Sequence, residues 1–91
     1  MPVTILLADD HNLVRQGLRS LLEAHTQFKV VGEAADGLQT VQLVEKLKPD
    51  VTIVDLMMPG LNGLEVTRQI AGQTRVLVVS KHANEANVLE A

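Results

Sequence analysis

Four short apolar runs divide the chain at near-regular intervals: Val3-Thr4-Ile5-Leu6-Leu7, Phe28-Lys29-Val30-Val31, Val51-Thr52-Ile53-Val54 and Val76-Leu77-Val78-Val79. All are rich in β-branched residues, and they mostly lack the in/out alternation of a strand with one wet face. Strands covered on both faces read this way, as in a parallel sheet with helices above and below. The segments between them carry helical spacing. Leu13, Val14, Leu18, Leu21 and Leu22 form one stripe, Leu38, Val41, Val44 and Leu47 a second, and Leu64, Thr67, Ile70 and Ala71 a weaker third.

Punctuation agrees with that division. Asp10 or Asn12 is placed to cap the first helix, Asp36 the second and Asn62 the third. Lys48-Pro49-Asp50 ends the second helix ahead of the third strand. Asn84 is placed to open a fourth helix, which the given sequence leaves at Ala91. The order is βαβαβαβα without linker, repeat or low-complexity stretch. With right-handed crossovers, residues 1–91 then make one doubly wound α/β domain.

Composition narrows the functions available. The 91 residues are 46% hydrophobic and 21% charged, ordinary values for a globular chain. A net charge of −3 and a single aromatic residue, Phe28, offer neither a basic footprint nor a stacking platform for nucleic acid. With no cysteine there is neither a disulfide framework nor a thiolate metal site. No leader pattern and no membrane-length apolar run stand in the sequence, so a cytoplasmic protein is expected.

In doubly wound sheets, ligands bind outside the carboxyl ends of the strands. The first strand delivers Asp9 and Asp10 there, the third Asp55 and the fourth Ser80, whereas the second delivers Glu33, Ala34 and Ala35. Taken singly, each has an ordinary explanation. An Asp-Asp pair ahead of a helix serves as a cap and a favourable dipole charge, Asp55 as a turn residue, and Ser80 as a loop hydroxyl. Together they place three carboxylates and a hydroxyl on one edge, where the carboxylates repel one another unless a cation intervenes. Mg²⁺ suits such an oxygen set and often bridges to phosphate. A carboxylate is also a nucleophile toward phosphorus, forming an aspartyl phosphate.

Other residues carry less. His11 adjoins the aspartates and would suit a softer metal, but its place at a helix start also puts it in solvent. His25 fits a helix end, and His82 a loop. Met57-Met58 reads as packing. Neither a Gly-x-Gly-x-x-Gly nor a Gly-x-Ser-x-Gly motif occurs.

LLADDH, EAADG, PDVTIVDLMMPGLNGLE and VLVVS, in that order over essentially the whole chain, resemble the receiver domain of two-component response regulators. DDHNLVRQGLRSLLE is similar in particular to the subfamily with a LuxR-type DNA-binding output domain. The resemblance implies a flavodoxin-like fold with strand order 2-1-3-4 here, the family's fifth strand and fifth helix lying beyond this sequence. It implies that Asp55 accepts a phosphoryl group from a sensor histidine kinase. Asp10 and Asp9 would hold Mg²⁺ together with Asp55 and the backbone carbonyl of Met57, and Ser80 would hydrogen-bond the phosphoryl group and act as the switch. Leu56 to Gly60 would flank the nucleophile.

The family's fifth-strand lysine and switch aromatic have no counterpart in these residues, and Lys81, adjoining Ser80 in extended chain, is no obvious replacement. Phosphorylation is therefore expected to be weakened. With the fourth strand left at the sheet edge and a sheet face left without its helix, these residues are expected to be either a piece of a longer chain or to self-associate as a dimer or swapped oligomer. The expected function is a phosphorylation switch that is not an enzyme beyond its own phosphorylation and dephosphorylation. DNA would be reached only through an output domain outside this sequence. Two alternatives stand beside it: a phosphorylation-independent interaction module, and a phosphatase or phosphotransferase working through an aspartyl phosphate. Against the latter, haloacid-dehalogenase-like enzymes carry a second aspartate two residues after the nucleophile, where this chain has Met57.

Overall fold

The structure, a computed structural model, describes residues 2–55, 63–82 and 85–90, with the backbone alone described at 63, 80–82 and 85–90. The elements are β1 (Val3–Ala8), α1 (Asn12–Glu23), β2 (Phe28–Ala34), α2 (Gly37–Leu47), β3 (Val51–Asp55), α3 (Gly63–Ile70), β4 (Arg75–His82) and β5 (Glu85–Glu90). Four strands lie parallel, as the apolar runs imply, in the order β2-β1-β3-β4 that the resemblance implies, and β5 pairs antiparallel with β4.

Alternate residues of the central strands feed two apolar layers, one on each face of the sheet. Leu6, Ala8, Val54, Val76 and Val78 pack with Val44 of α2 and with Val66 and Ile70 of α3. Ile5, Leu7 and Val30 face the other way, against Leu18 and Leu22 of α1. The first layer is fully enclosed. The second is thinner, because no residue of α1 is buried and Val51, Ile53, Leu77 and Val79 are only partly covered.

The amino-terminal edge of the sheet is tied by Asp50. Its carboxylate accepts hydrogen bonds from Thr4 N (2.9 Å) and Thr4 Oγ1 (3.0 Å), and its carbonyl accepts one from Arg75 N (3.0 Å). Those bonds to Thr4 hold the Asp50 carboxyl below its ordinary pKa. Three strands are thus aligned at one end, which sets their register at the other. Ala8 lies opposite both Ala34 and Val54, and Asp55 lies opposite Val79.

Asp36 caps α2 as expected, its Oδ1 accepting from Gln39 N at 2.8 Å. Gln39 Oε1 reaches back to accept from Ala35 N at 2.9 Å, so each side chain satisfies a backbone donor at the helix start. Lys48 closes the helix in the left-handed region (φ 48°), and Pro49 follows. At α1 the expectation fails. Its N-cap is His11, with no side-chain cap bond, and neither Asp10 nor Asn12 takes that role. The expected cap at Asn62 lies outside the described residues.

The second correction concerns the last residues. Instead of opening a helix after Asn84, itself outside the described residues, Glu85–Glu90 forms β5, with Val79 opposite Val88 and Val78 opposite Leu89. A helix this short is marginal in water, whereas the open edge of β4 offers a row of backbone partners. The expectation that β4 would be left as the sheet edge is corrected by the same pairing: the edge belongs to β5, which begins and ends in glutamate.

Candidate functional site

β1 and β3 run side by side with Ala8 opposite Val54, so the next residue of each chain, Asp9 and Asp55, emerge as neighbours at the carboxyl edge. β4 brings Ser80 to the same edge, one residue past Val79, the partner of Asp55. Ser80 is described by its backbone, paired with Asn87 of β5. Met57, Met58 and the expected flanking loop Leu56 to Gly60 lie outside the described residues.

One atom each from Asp9, Asp10, His11 and Asp55 lies within 4.8 Å of all the others. The three aspartates singled out from the strand ends therefore do meet. Their exposure differs: Asp9 and Asp55 are buried, at 4% and 1%, while Asp10 and His11 face solvent. Two buried carboxylates this close repel one another, and a cation between them relieves the repulsion. Oxygen-rich donors at this spacing fit a hard divalent cation, with the open side at Asp10 leaving room for water or phosphate. His11 Nδ1 lies 2.9 Å from Asp10 Oδ1 and 3.3 Å from Asp9 Oδ1, so its ring lies against both carboxylates.

The turn that carries the pair is held at several points. Asp9 N donates to Ala34 O of β2 (2.9 Å), and Asp9 Oδ1 accepts from His11 N (2.8 Å). Arg15 Nη1 donates to Asp9 O (2.5 Å), Arg15 Nε pairs with Glu33 Oε1 (2.9 Å), and Arg15 Nη2 bonds Asn12 Oδ1. The second oxygen of Glu33 takes Arg19 Nη1 at 2.6 Å. Between these guanidinium groups the Glu33 carboxyl is held below its ordinary pKa, the Arg15 hydrogen bond contributing most and that of Arg19 next. Glu33 is not part of the acidic cluster, yet it anchors the arginine behind Asp9. Pairs 18 and 14 residues apart leave no periodic trace in a sequence, so this group is visible only in three dimensions.

Residues 5–91 match the family model described as the response regulator receiver domain. The chain belongs to the receiver domain family of response regulators. The transcriptional regulatory protein LiaR of Bacillus subtilis is 39% identical over 89 residues, an alignment covering 94% of this chain and 42% of LiaR. The receiver domain of the NarL response regulator from Mycobacterium tuberculosis superposes with a TM-score of 0.85 at 36% identity, covering 91% of this chain and 69% of that one. RcsB from Salmonella enterica, solved bound to the rprA promoter in the presence of phosphomimetic BeF₃⁻, superposes at 0.84 with 30% identity, over 92% of this chain and 45% of that one. Two-component regulators of the LuxR family are also among the structural matches. The chain therefore spans under half the length of a full regulator such as LiaR.

Proposed function

We propose that this chain is the phosphoacceptor module of a two-component response regulator, with Asp55 as the residue modified. The observation that carries the proposal is the buried Asp55 carboxylate sharing one 4.8 Å cluster with Asp9 and Asp10 at the carboxyl edge of a 2-1-3-4 sheet. A carboxylate oxygen of Asp55 attacks phosphorus, the P–N bond of a sensor kinase phosphohistidine breaks, and the imidazole leaves with that electron pair and is protonated from water. The product is an acyl phosphate on Asp55. Asp9 and Asp10 would hold Mg²⁺ with Asp55 and the Met57 carbonyl, and Ser80 would donate a hydrogen bond to a phosphoryl oxygen. When bound, Mg²⁺ would neutralise charge on the transferring oxygens.

The register supports these assignments, since it delivers Asp9, Asp55 and the Ser80 backbone to one edge. The module performs only its own phosphorylation and dephosphorylation and turns over no separate substrate. Its partner is a sensor histidine kinase, and the module itself works in the cytoplasm. By likeness to LiaR, a transcriptional regulatory protein, and to RcsB, solved on promoter DNA, its output is transcriptional and reaches DNA through another domain. Self-association through the thinly covered α1 face belongs to the same proposal. No helix among the described residues is long and apolar enough to cross a membrane.

The test is intact mass spectrometry after incubation with acetyl phosphate, with and without Mg²⁺. The chain should gain one phosphoryl group only when Mg²⁺ is present, and Asp55→Asn should gain none. Equal labelling of Asp55→Asn would refute the assignment.

A further inference from the structure

We infer that Arg15 is a positioning residue for the acidic cluster, fixing from behind the peptide that joins Asp9 to Asp10. The inference rests on reading that cluster as the Mg²⁺ site. The Asp9 carbonyl belongs to the same rigid amide plane as the nitrogen of Asp10. Whatever holds that oxygen therefore limits the direction in which the Asp10 side chain leaves the turn. Arg15 Nη1 holds it at 2.5 Å.

The guanidinium is itself aimed by groups from two elements. Glu33 of β2 accepts from Nε at 2.9 Å, and Asn12 at the start of α1 accepts from Nη2. Arg19, on the other oxygen of Glu33 at 2.6 Å, keeps that carboxylate from swinging away. A planar fork with several fixed donors suits this task, and a lysine ammonium does not reproduce it. The arginine side chain is only 14% exposed, so its packing adds to the constraint. The opposite face of the turn is set by Ala34 O on Asp9 N and by His11 N on Asp9 Oδ1. Arg15 completes the set at the one point where the two ligand-bearing residues are joined.

A cation near a metal site has a second, opposing effect. Charge repulsion alone predicts that removing Arg15 tightens Mg²⁺ binding, whereas loss of positioning predicts that it loosens. The sign of the change separates them. Groups that orient metal ligands typically carry about 10–100-fold in affinity.

The experiment is calorimetric Mg²⁺ titration of the 91-residue chain and its Arg15→Ala, Arg15→Lys and Arg19→Ala variants, each checked by circular dichroism. Arg15→Ala should weaken Kd by about tenfold or more. Arg15→Lys should fall between it and the unaltered chain. Arg19→Ala, which removes one Glu33 pair but leaves both the Arg15–Glu33 pair and the Asp9 carbonyl bond, should lose clearly less than Arg15→Ala. Binding by folded Arg15→Ala that equals or exceeds that of the unaltered chain overturns the role, as does an equal loss in Arg19→Ala, which would mark a mere helix-to-strand tether. If Arg15→Ala does not fold, Arg15→Lys decides, and an unchanged Kd there overturns the role. Failure of the unaltered chain to bind Mg²⁺ sinks the metal reading itself, and is distinct from every outcome in which only the variants differ.

Discussion

Asp9 and Asp10 are adjacent in sequence but differ in what surrounds them. Asp9 is buried and its backbone is bonded at both ends, while Asp10 looks outward. Asp10→Asn is therefore expected to weaken Mg²⁺ binding without unfolding the chain, and Asp9→Asn to disturb both; calorimetry and thermal melts on each variant check this. Glu33 makes a pH prediction. Its folded-state pKa lies below the unfolded value, so it stabilises the fold above the ordinary carboxylate range and loses that contribution as pH falls through the folded value. Urea midpoints between neutral and strongly acid pH should fall more for the unaltered chain than for Glu33→Gln; parallel curves would contradict this. The aspartates could be picked out from the sequence because strand ends converge by topology. Arg15 and Glu33 could not, because nothing in one sequence marks which exposed-looking arginine meets which glutamate across a sheet edge.

Among the elements, α2 is the one whose limits were most readable, since Asp36 and Lys48-Pro49 act within a few residues of chain. Asp36→Ala should cost about 1 kcal/mol of unfolding free energy, as helix N-caps do, measured by denaturant titration. The apolar stripes were less informative. On α3 the spacing treats Leu64 and Ile70 alike, yet Ile70 is fully buried and Leu64 is 67% exposed. The stripe also omits Val66, which the α2–β4 layer encloses completely. Ile70→Ala should cost about 2–5 kcal/mol, and Leu64→Ala should stay within about 0.5 kcal/mol. Similar losses for the two would contradict this packing. For residues 85–90 local signals pointed to a helix, but pairing with the open edge of β4, which ends just before them in the chain, decides for a strand.

At the scale of the whole molecule the two faces of the sheet are unequal. α2 and α3 enclose one layer, whereas α1 alone covers part of the other and leaves Leu13 and Leu21 outward at 83% and 69% exposure. With β4 paired to β5, its edge gives no reason for association, and the thinly covered sheet face under α1 does. Light scattering after size exclusion should show a concentration-dependent dimer or larger species; a monomer at all concentrations would contradict it. The parallel sheet was legible in four apolar runs and short connections, whereas its order 2-1-3-4 came only from the family resemblance, and that order is what carries the acidic residues to one edge. The central claim, that this edge exists to phosphorylate Asp55, is tested most directly by reductive trapping. After treatment with acetyl phosphate and Mg²⁺, borohydride converts an aspartyl phosphate to homoserine, which peptide mass spectrometry locates. Homoserine at position 55 is the expected result; homoserine at Asp9 or Asp10 instead, or at no aspartate, would contradict it.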